Sequence, residues 1–489
     1  MGPQNFTSAI DFRLLQATAR RDEHGRFLLA RESGAPAVLL ELLGAPFDAV
    51  NTDLSGMPEG PALSRALRPL LDVPRMSTMA IGAVLNRAVA AMAPGHAFVN
   101  AGVWHGYTLL AAMAQNPGAI CVGIDDFSEF GGPRDEFGAR FEAARSPRHS
   151  FHEMDYRDYM SDIHEGPIGV YLYDGENSYE GEMEALQAGE RFFADGCLLV
   201  ADDTNRSQRR QAMLDFAAQS PHDYSLVLDV STGGNRHPTF WNGTLVLQRN
   251  ATGDAVPPRV IGREPDAPPA LTAATPGAGS VTVVLLAESG GEAAARARAA
   301  IEAQTWADVE LLVADASERP AEVALRQALD ASQGDYVAFA DCDAALRPDA
   351  VELSLAYPGA ARFWQGSPDA EQWERLESGV AAGADVDSVL DAGTQFTIVS
   401  DPLGLPQTLS AGPSSPLAPP PLHLHQLDEG AAIREIEAAR AAGRDHLVVL
   451  ANRFQWLDRR PDVAAHLAAH ATTPIDNERV RLFVFGGAA

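Results

Sequence analysis

The chain has 489 residues, 46% of them apolar, with 66 acidic against 37 basic side chains and a formal charge of −29. That length exceeds what one ordinary core fills and points to two or three domains. The negative field excludes nonspecific binding to nucleic acid or to an anionic membrane surface.

All the positive charge is arginine; the sequence contains no lysine. Schiff-base chemistry, a pyridoxal phosphate enzyme and a Walker A nucleotidase are thereby excluded, because each needs a lysine amine. Cys121, Cys197 and Cys342 lie far apart and form no C-x-x-C spacing. Neither a zinc site nor a disulfide framework is expected, and a reducing compartment fits. The opening M-G-P-Q-N-F-T-S has no basic segment followed by an apolar core, and no apolar run reaches membrane-spanning length. The expectation is a cytoplasmic protein with no membrane span.

Residues 1–75 carry mixed helical patterns with weak punctuation and are expected to form a lead-in or cap on the first domain. Residues 76–92 have apolar residues at helical spacing after Ser77 or Thr78, either of which suits an N-cap. The stretch F-V-N-A-G-V-W-H-G-Y-T at 98–108 then reads as strand, glycine turn and helix. Gly102 and Gly106 would let backbone N–H groups approach a polar ligand closely. The next apolar run, A-I-C-V-G-I, ends on Asp125 and Asp126, nineteen residues past Gly106 at the first of them. A carboxylate there is placed to accept hydrogen bonds from ribose hydroxyls, so this β-α-β unit opens a nucleoside pocket.

A Gly-Pro loop and a helix at 135–144 follow, then S-F-H-E-M-D-Y, a short strand ending near Asp155. The run I-G-V-Y-L-Y is a buried strand that stops at Asp174, before a glycine turn and a helix through Ala188. The strand C-L-L-V-A runs into Asp202, Asp203 and Thr204, and Y-S-L-V-L-D-V and T-F-W-N-G-T-L-V-L-Q supply two more strands. Strands alternating with helices predict a parallel, Rossmann-like α/β sheet, and the last two strands predict an antiparallel edge.

The turn N-x-G-x-x-x-G at 100–106, V-G-I-D-D-F-S at 122–128, Y-D-G-E-N-S-Y-E at 173–180, A-D-D-T-N at 201–205 and H-P-T-F-W-N-G at 237–243 occur in this order. Together they resemble the class I S-adenosylmethionine-dependent methyltransferases, in particular the macrocin-type sugar O-methyltransferases, over about residues 75–250. The resemblance implies S-adenosylmethionine as methyl donor and a sugar or glycan hydroxyl as acceptor. It implies Asn100, Gly102, Trp104, Gly106, Asp125, Asp126, Asp155 and Asp174 around the donor. Asp174, Asp202 and Asp203 would bind magnesium, a hard cation suited to carboxylates, which would lower the acceptor hydroxyl's pKa. Glu176 matches a candidate general base; Asp174 and His237, or His105, could share that work.

Bland readings stand beside these. Asp174 could cap the following helix, Asp202 and Asp203 could form a turn, Asp155 could cap a turn, and Trp104 could be core. Two positions depart from the family pattern: Asn100 stands where an acidic residue is usual, and Asn177 where relatives often have histidine.

Residues 251–279, rich in Pro, Ala and Gly, read as a linker. From 280 to about 400 the strand V-T-V-V-L-L-A, a helix at 291–304, the strand V-E-L-L-V-A-D and the D-C-D at Asp341 and Asp343 resemble part of a family 2 GT-A glycosyltransferase. The resemblance implies a divalent cation on Asp341 and Asp343, bridging a sugar nucleotide's diphosphate. It fades after about 75 residues, so the module reads as truncated. A second linker is expected at 401–421 and a small α/β unit at 422–489, whose Trp456, Arg459 and Arg460 could face a glycan or simply pack. The sequence thus predicts a sugar O-methyltransferase, possible as a homo-oligomer. The alternatives are a non-catalytic glycan-binding or assembly protein and a working glycosyltransferase.

Overall fold

The computed structural model describes residues 13–14, 19–21, 27–31, 34–40, 52–54, 59–128, 132–176, 178–205, 207–232, 237, 240–249, 259–261, 279–287, 291–317, 319, 321–342, 346–356, 381, 385–386, 388–389, 396–399, 429–450 and 454–486.

The chain begins with short strands: β1 (Arg13–Leu14), β2 (Ala19–Arg21), β3 (Phe27–Leu29), β4 (Ala37–Leu39) and β5 (Thr52–Asp53). Helices α1 (Gly60–Leu67) and α2 (Met79–Ala90) lead into the first large sheet. Of the two N-cap residues the sequence offered, Thr78 is used, its side chain accepting from Ile81 N. Ten of the twelve residues of α2 are buried, so this helix is covered on more than one side.

The first sheet follows as β6 (Ala97–Ala101), α3 (Tyr107–Met113), β7 (Ile120–Asp125), α4 (Arg134–Ala144), β8 (His149–Glu153), β9 (Ile168–Tyr173), α5 (Tyr179–Gly189), β10 (Phe193–Asp202), α6 (Ser207–Gln219), β11 (Tyr224–Val230), β12 (Thr244–Arg249) and β13 (Arg259–Ile261). The strand order across it is β13-β11-β12-β10-β9-β6-β7-β8. Strands β6 to β10 run parallel, and β12 runs antiparallel to both β10 and β11. The antiparallel strand is therefore inserted between two others rather than forming the edge the sequence suggested. A hairpin return places β12 beside β10, and β11 and β13 then lie outside it.

The crossover direction reverses between β6 and β9, and the carboxyl ends of both strands open at that point. In open α/β sheets such a switch point leaves a crevice for a ligand.

The second sheet contains β14 (Val281–Ala287), β15 (Val309–Asp315) and β16 (Tyr336–Ala340), connected through α7 (Glu292–Glu302) and α8 (Ala321–Ala331) and followed by α9 (Ala350–Ala356). Its order is β15-β14-β16-β4-β3-β2. Strands β2, β3 and β4 thus pair not with the sheet that follows them but with this later one, Tyr336 and Val337 of β16 lying beside Val38 and Leu39 of β4, while β1 and β5 pair only with each other. Backbone bonds Val38 N to Asp335 O, 2.9 Å, and Leu40 N to Val337 O, 2.8 Å, close the seam.

One continuous apolar core joins the two sheets. It runs from Phe98, Val170 and Val200 of the first sheet through α2 and α3 to Val284, Leu286 and Phe339 of the second. Burial on this scale is the main force holding the two sheets to the intervening helices.

The C-terminal elements form a third sheet from β17 (Phe396–Val399), β18 (His446–Leu450), β19 (Ala471–Asp476) and β20 (Val480–Phe485), in the order β17-β18-β20-β19. Helices α10 (Glu429–Ala441), α11 (Phe454–Asp458) and α12 (Pro461–His470) accompany it. Its core, including Ile436, Leu447, Leu467 and Phe485, is separate. No described helix is long and apolar enough to cross a membrane.

Candidate active site

The glycine turn after β6 is built for close backbone approach. Gly102 has φ +86°, and a Cβ there would stand 2.3 Å from the Asp174 carbonyl oxygen. Its N–H donates to Ile124 O at 2.8 Å, and Asp174 N donates to Ala101 O at 2.7 Å. Gly102 therefore lets the ends of β6, β7 and β9 meet, a contact any side chain would break. Gly106, φ +95°, starts α3 where a Cβ would meet the Phe137 ring at 2.6 Å.

Asp125 braces this turn. Its Oδ2 accepts from Val103 N and Trp104 N, each at 2.8 Å, and its Oδ1 accepts from Phe127 N at 2.8 Å. Trp104, held at φ +47°, lies edge-on to His105 with ring centroids 4.5 Å apart. Asn100 is fully buried and turns inward: its Nδ2 donates to Gly102 O at 2.9 Å and its Oδ1 accepts from Thr108 Oγ1 at 2.8 Å. Both side chains are used to shape the turn.

Asp126 is exposed at the mouth and accepts from Ser128 N at 3.0 Å and Ser128 Oγ at 2.6 Å; these bonds hold its pKa below the usual value. Asp155 caps the turn after β8, accepting from Arg157 N at 2.7 Å and pairing with its guanidinium at 3.0 Å. Arg157 in turn grips Glu184 with two bonds of 2.8 and 2.9 Å. His105 receives Arg140 Nη1 on its Nδ1 at 3.2 Å, and burial together with that cation lowers its pKa to about 4. A neutral imidazole already facing a cation is a poor proton acceptor.

The carboxylates that end β9 and β10 line the same rim. Ser178, not Asp174, caps α5, accepting from Gly181 N at 2.9 Å. Asp174 keeps 37% of its side chain open to solvent in a crevice whose walls raise its pKa to about 6. Asp202 is almost wholly buried, and desolvation together with its acidic neighbours pushes its pKa up. It accepts from Asp203 N at 2.8 Å. Asp203, at φ +58°, accepts from Asn242 Nδ2 at 2.5 Å.

His237 and residues 240–243 lie beside this rim. The backbones of His237 and Trp241 exchange bonds of 2.7 and 2.8 Å, and Asn205 N reaches Asn242 O at 2.7 Å. His237 is buried in that bridge. Glu176 projects into solvent, while its N–H donates to Tyr173 Oη at 3.0 Å. Asn177 lies outside the described residues.

Beneath the rim sit two charges that the sequence reading did not single out. Arg209 of α6 has no exposed surface; its Nε donates to Glu182 Oε2 at 2.8 Å and its Nη2 donates to Tyr173 O at 2.6 Å. Glu182 of α5 is 1% exposed, and Arg209 Nη1 stands 3.7 Å from Asp174 Oδ1. A signal for the pair existed. Glu182 precedes buried Ala185 and Leu186 by three and four residues, and Arg209 precedes buried Ala212 and Met213 likewise. Each charge therefore lies on an apolar helical stripe.

The carboxylates do not fit the expected magnesium ion. Among the described residues no group of three or more His, Cys, Asp or Glu side chains gathers closely enough to hold a metal. Asp202 is turned to the Asp203 amide, Asp203 to Asn242, and Asp174 faces a guanidinium. The triad expected from the sequence is thus divided among separate partners.

In the second sheet, Asp315 accepts from Ser317 N at 2.9 Å and Oγ at 2.6 Å. Gln304 bonds Arg347 O at 2.7 Å and Val351 N at 3.0 Å, and Trp306 Nε1 donates to Gly279 O at 3.2 Å. Gln304 and Trp306 thus tie neighbouring segments together. Asp341 is half-buried, and Asp343 lies outside the described residues. The side chain of Trp456 does too, while Arg459 is exposed and Arg460 half-buried at the start of α12.

A mainly parallel sheet with a glycine turn and carboxylates at its switch point defines a doubly wound α/β fold. Residues 99–204, from β6 to just beyond β10, match a protein-family model described as a methyltransferase domain. That stretch is therefore similar to a methyltransferase domain. Among solved structures, an O-methyltransferase from Bacillus cereus in complex with SAH is similar at 11% identity, covering 35% of this chain and 79% of that one, with a TM-score of 0.27. An O-methyltransferase of tomaymycin synthesis from Streptomyces achromogenes shows 16% identity, coverage of 39% and 90%, and a TM-score of 0.28. A TDP-rhamnose 3'-O-methyltransferase of calicheamicin biosynthesis shows 18% identity, coverage of 42% and 100%, and a TM-score of 0.27. No curated protein matches the chain.

Proposed function

We propose that the chain is an S-adenosylmethionine-dependent O-methyltransferase acting on a sugar or glycan hydroxyl. The observation that carries this is the meeting of Gly102, the Asp125-braced turn and Asp174 at the switch point, inside the span that matches a methyltransferase domain. The sugar acceptor rests on the sequence resemblance of the motifs at 173–180, 201–205 and 237–243.

S-adenosylmethionine, when bound, supplies an electrophilic methyl group on sulfur. The turn that holds Gly102 and Gly106 is where the donor would lie, against the backbone of residues 102–104, with the exposed Asp126 nearby in sequence. Asp174 is the candidate base: with a pKa of about 6 it is largely ionised at neutral pH yet basic enough to accept a hydroxyl proton. The acceptor oxygen forms the new bond to the methyl carbon, the carbon–sulfur bond breaks onto sulfur, and the hydroxyl proton passes to Asp174. Glu176, exposed beside it, is the second candidate. Positioning for in-line attack would supply much of the acceleration.

A non-catalytic assembly or glycan-binding role is the second reading. It is favoured by Asn100, whose side chain is wholly engaged within the turn, and by the core shared between the two sheets. The test is methyl transfer from isotope-labelled S-adenosylmethionine to a panel of sugar nucleotides and glycans, with calorimetric binding of the donor measured alongside. Transfer lost in Asp174→Asn supports the enzyme; donor binding without transfer to any acceptor favours the assembly role. Sugar-nucleotide turnover lost in Asp341→Asn would instead reveal glycosyl transfer.

A further inference from the structure

We propose that Arg209 is the built-in cation of this acidic rim: it positions Asp174 and keeps a divalent ion out, so that the methyltransferase site works without metal. The proposal rests on the methyltransferase reading above. Three observations converge on it. Arg209 is wholly buried and anchored on one side by Glu182 and the Tyr173 carbonyl, which fixes its planar fork. Its Nη1 stands 3.7 Å from Asp174 Oδ1. The other two carboxylates accept from Asp203 N and Asn242 Nδ2, and among the described residues no group of three or more His, Cys, Asp or Glu side chains could hold a metal.

Distances decide the electrostatics. A magnesium–oxygen bond is about 2.1 Å, so an ion seated on Asp174 Oδ1 would lie within about 6 Å of a guanidinium that cannot lose its proton. The walls that raise the Asp174 pKa also weaken solvent screening of that repulsion. A side-chain charge supplied by α6 thus takes the place a metal would need. Arg209 is a positioning residue here; Asp174 is the group that meets the acceptor.

The test uses Mn2+ alone as probe, titrated into the full chain and followed by electron paramagnetic resonance, with donor binding measured by calorimetry on the same samples. Wild type is expected to show no saturable site that depends on Asp174. Arg209→Met combined with Glu182→Leu removes both buried charges together, so neither is left unpaired. That double variant is expected to bind Mn2+ at least about tenfold more tightly than wild type, and adding Asp174→Asn should abolish the gain. Arg209→Lys keeps a positive charge and is expected to keep Mn2+ out, which a merely structural role would not require. Saturable Mn2+ binding by wild type that disappears in Asp174→Asn would overturn the proposal. So would a folded double variant that gains no site. Failure of wild type to bind S-adenosylmethionine would instead sink the methyltransferase reading, whatever the Mn2+ result.

Discussion

Arg209→Met should destabilise the chain far more than an ordinary arginine substitution. The variant removes the Nε and Nη2 bonds to Glu182 and the Nη2 bond to the Tyr173 carbonyl, and leaves Glu182 1% exposed with its charge unmatched. Breaking a buried pair in this way costs about 3–5 kcal/mol, because desolvation of the remaining carboxylate is no longer offset. Adding Glu182→Leu should recover most of that loss, since replacing both charges with apolar groups is often neutral or stabilising. The double variant is therefore expected to be more stable than Arg209→Met alone, with a coupling energy of about 2–4 kcal/mol. Urea unfolding of the four species, followed by tryptophan fluorescence, gives the cycle directly, provided the m-values agree. Additive losses, or a single-variant cost below about 1 kcal/mol, would refute the idea that the pair forms the rigid base of the rim.

Three further outcomes are expected. Gly102→Ala places a Cβ 2.3 Å from a backbone oxygen at φ +86°, so it should cost about 2–4 kcal/mol and weaken donor binding, read by urea midpoint and calorimetry; a neutral variant would show that β6 and β9 do not meet so closely. Asp125→Asn loses the charge from three backbone bonds of 2.8 Å, and donor affinity should fall at least about tenfold; unchanged affinity would deny the braced turn a role. His105 has its folded pKa lowered to about 4 from 6.5, so the unfolded chain binds the extra proton between those values. Its contribution to stability is complete above pH 6.5, is lost as pH falls from 6.5 toward 4, and is flat below. An imidazole NMR titration with a midpoint near 4 agrees; a midpoint near 6.5 would not.

Much of the first sheet was legible because buried parallel strands read as apolar runs that stop on polar residues. V-G-I-D-D and I-G-V-Y-L-Y-D mark the carboxyl ends of β7 and β9, and G-V-W-H-G marks the turn between β6 and α3. Spacing places a residue at a rim but does not aim its oxygens. Asp125 turns both of its oxygens toward backbone amides, and Asn100 bonds Gly102 and Thr108; neither orientation leaves a trace in composition.

The partners of β4 were illegible for a different reason. Three residues, A-V-L, are too short to show a period, and their neighbour β16 lies nearly three hundred residues later in the chain. Position β12 between β10 and β11 likewise depends on a long return that local pattern does not encode. The three aspartates read as one set because they end adjacent strands, whereas Asn242, which bonds Asp203, and Arg209, which faces Asp174, come from other parts of the chain. The pair Glu182 and Arg209 could have been found as opposite charges on the buried stripes of consecutive helices.

The central claim is that the glycine turn binds S-adenosylmethionine. Isothermal titration of the full chain with this donor, without added metal and with Asp125→Ala as comparison, tests it most directly. The expected result is one saturable donor site per chain, undisturbed by chelator and weakened at least about tenfold by the substitution. Absence of binding, or equal binding by wild type and Asp125→Ala, would contradict the account.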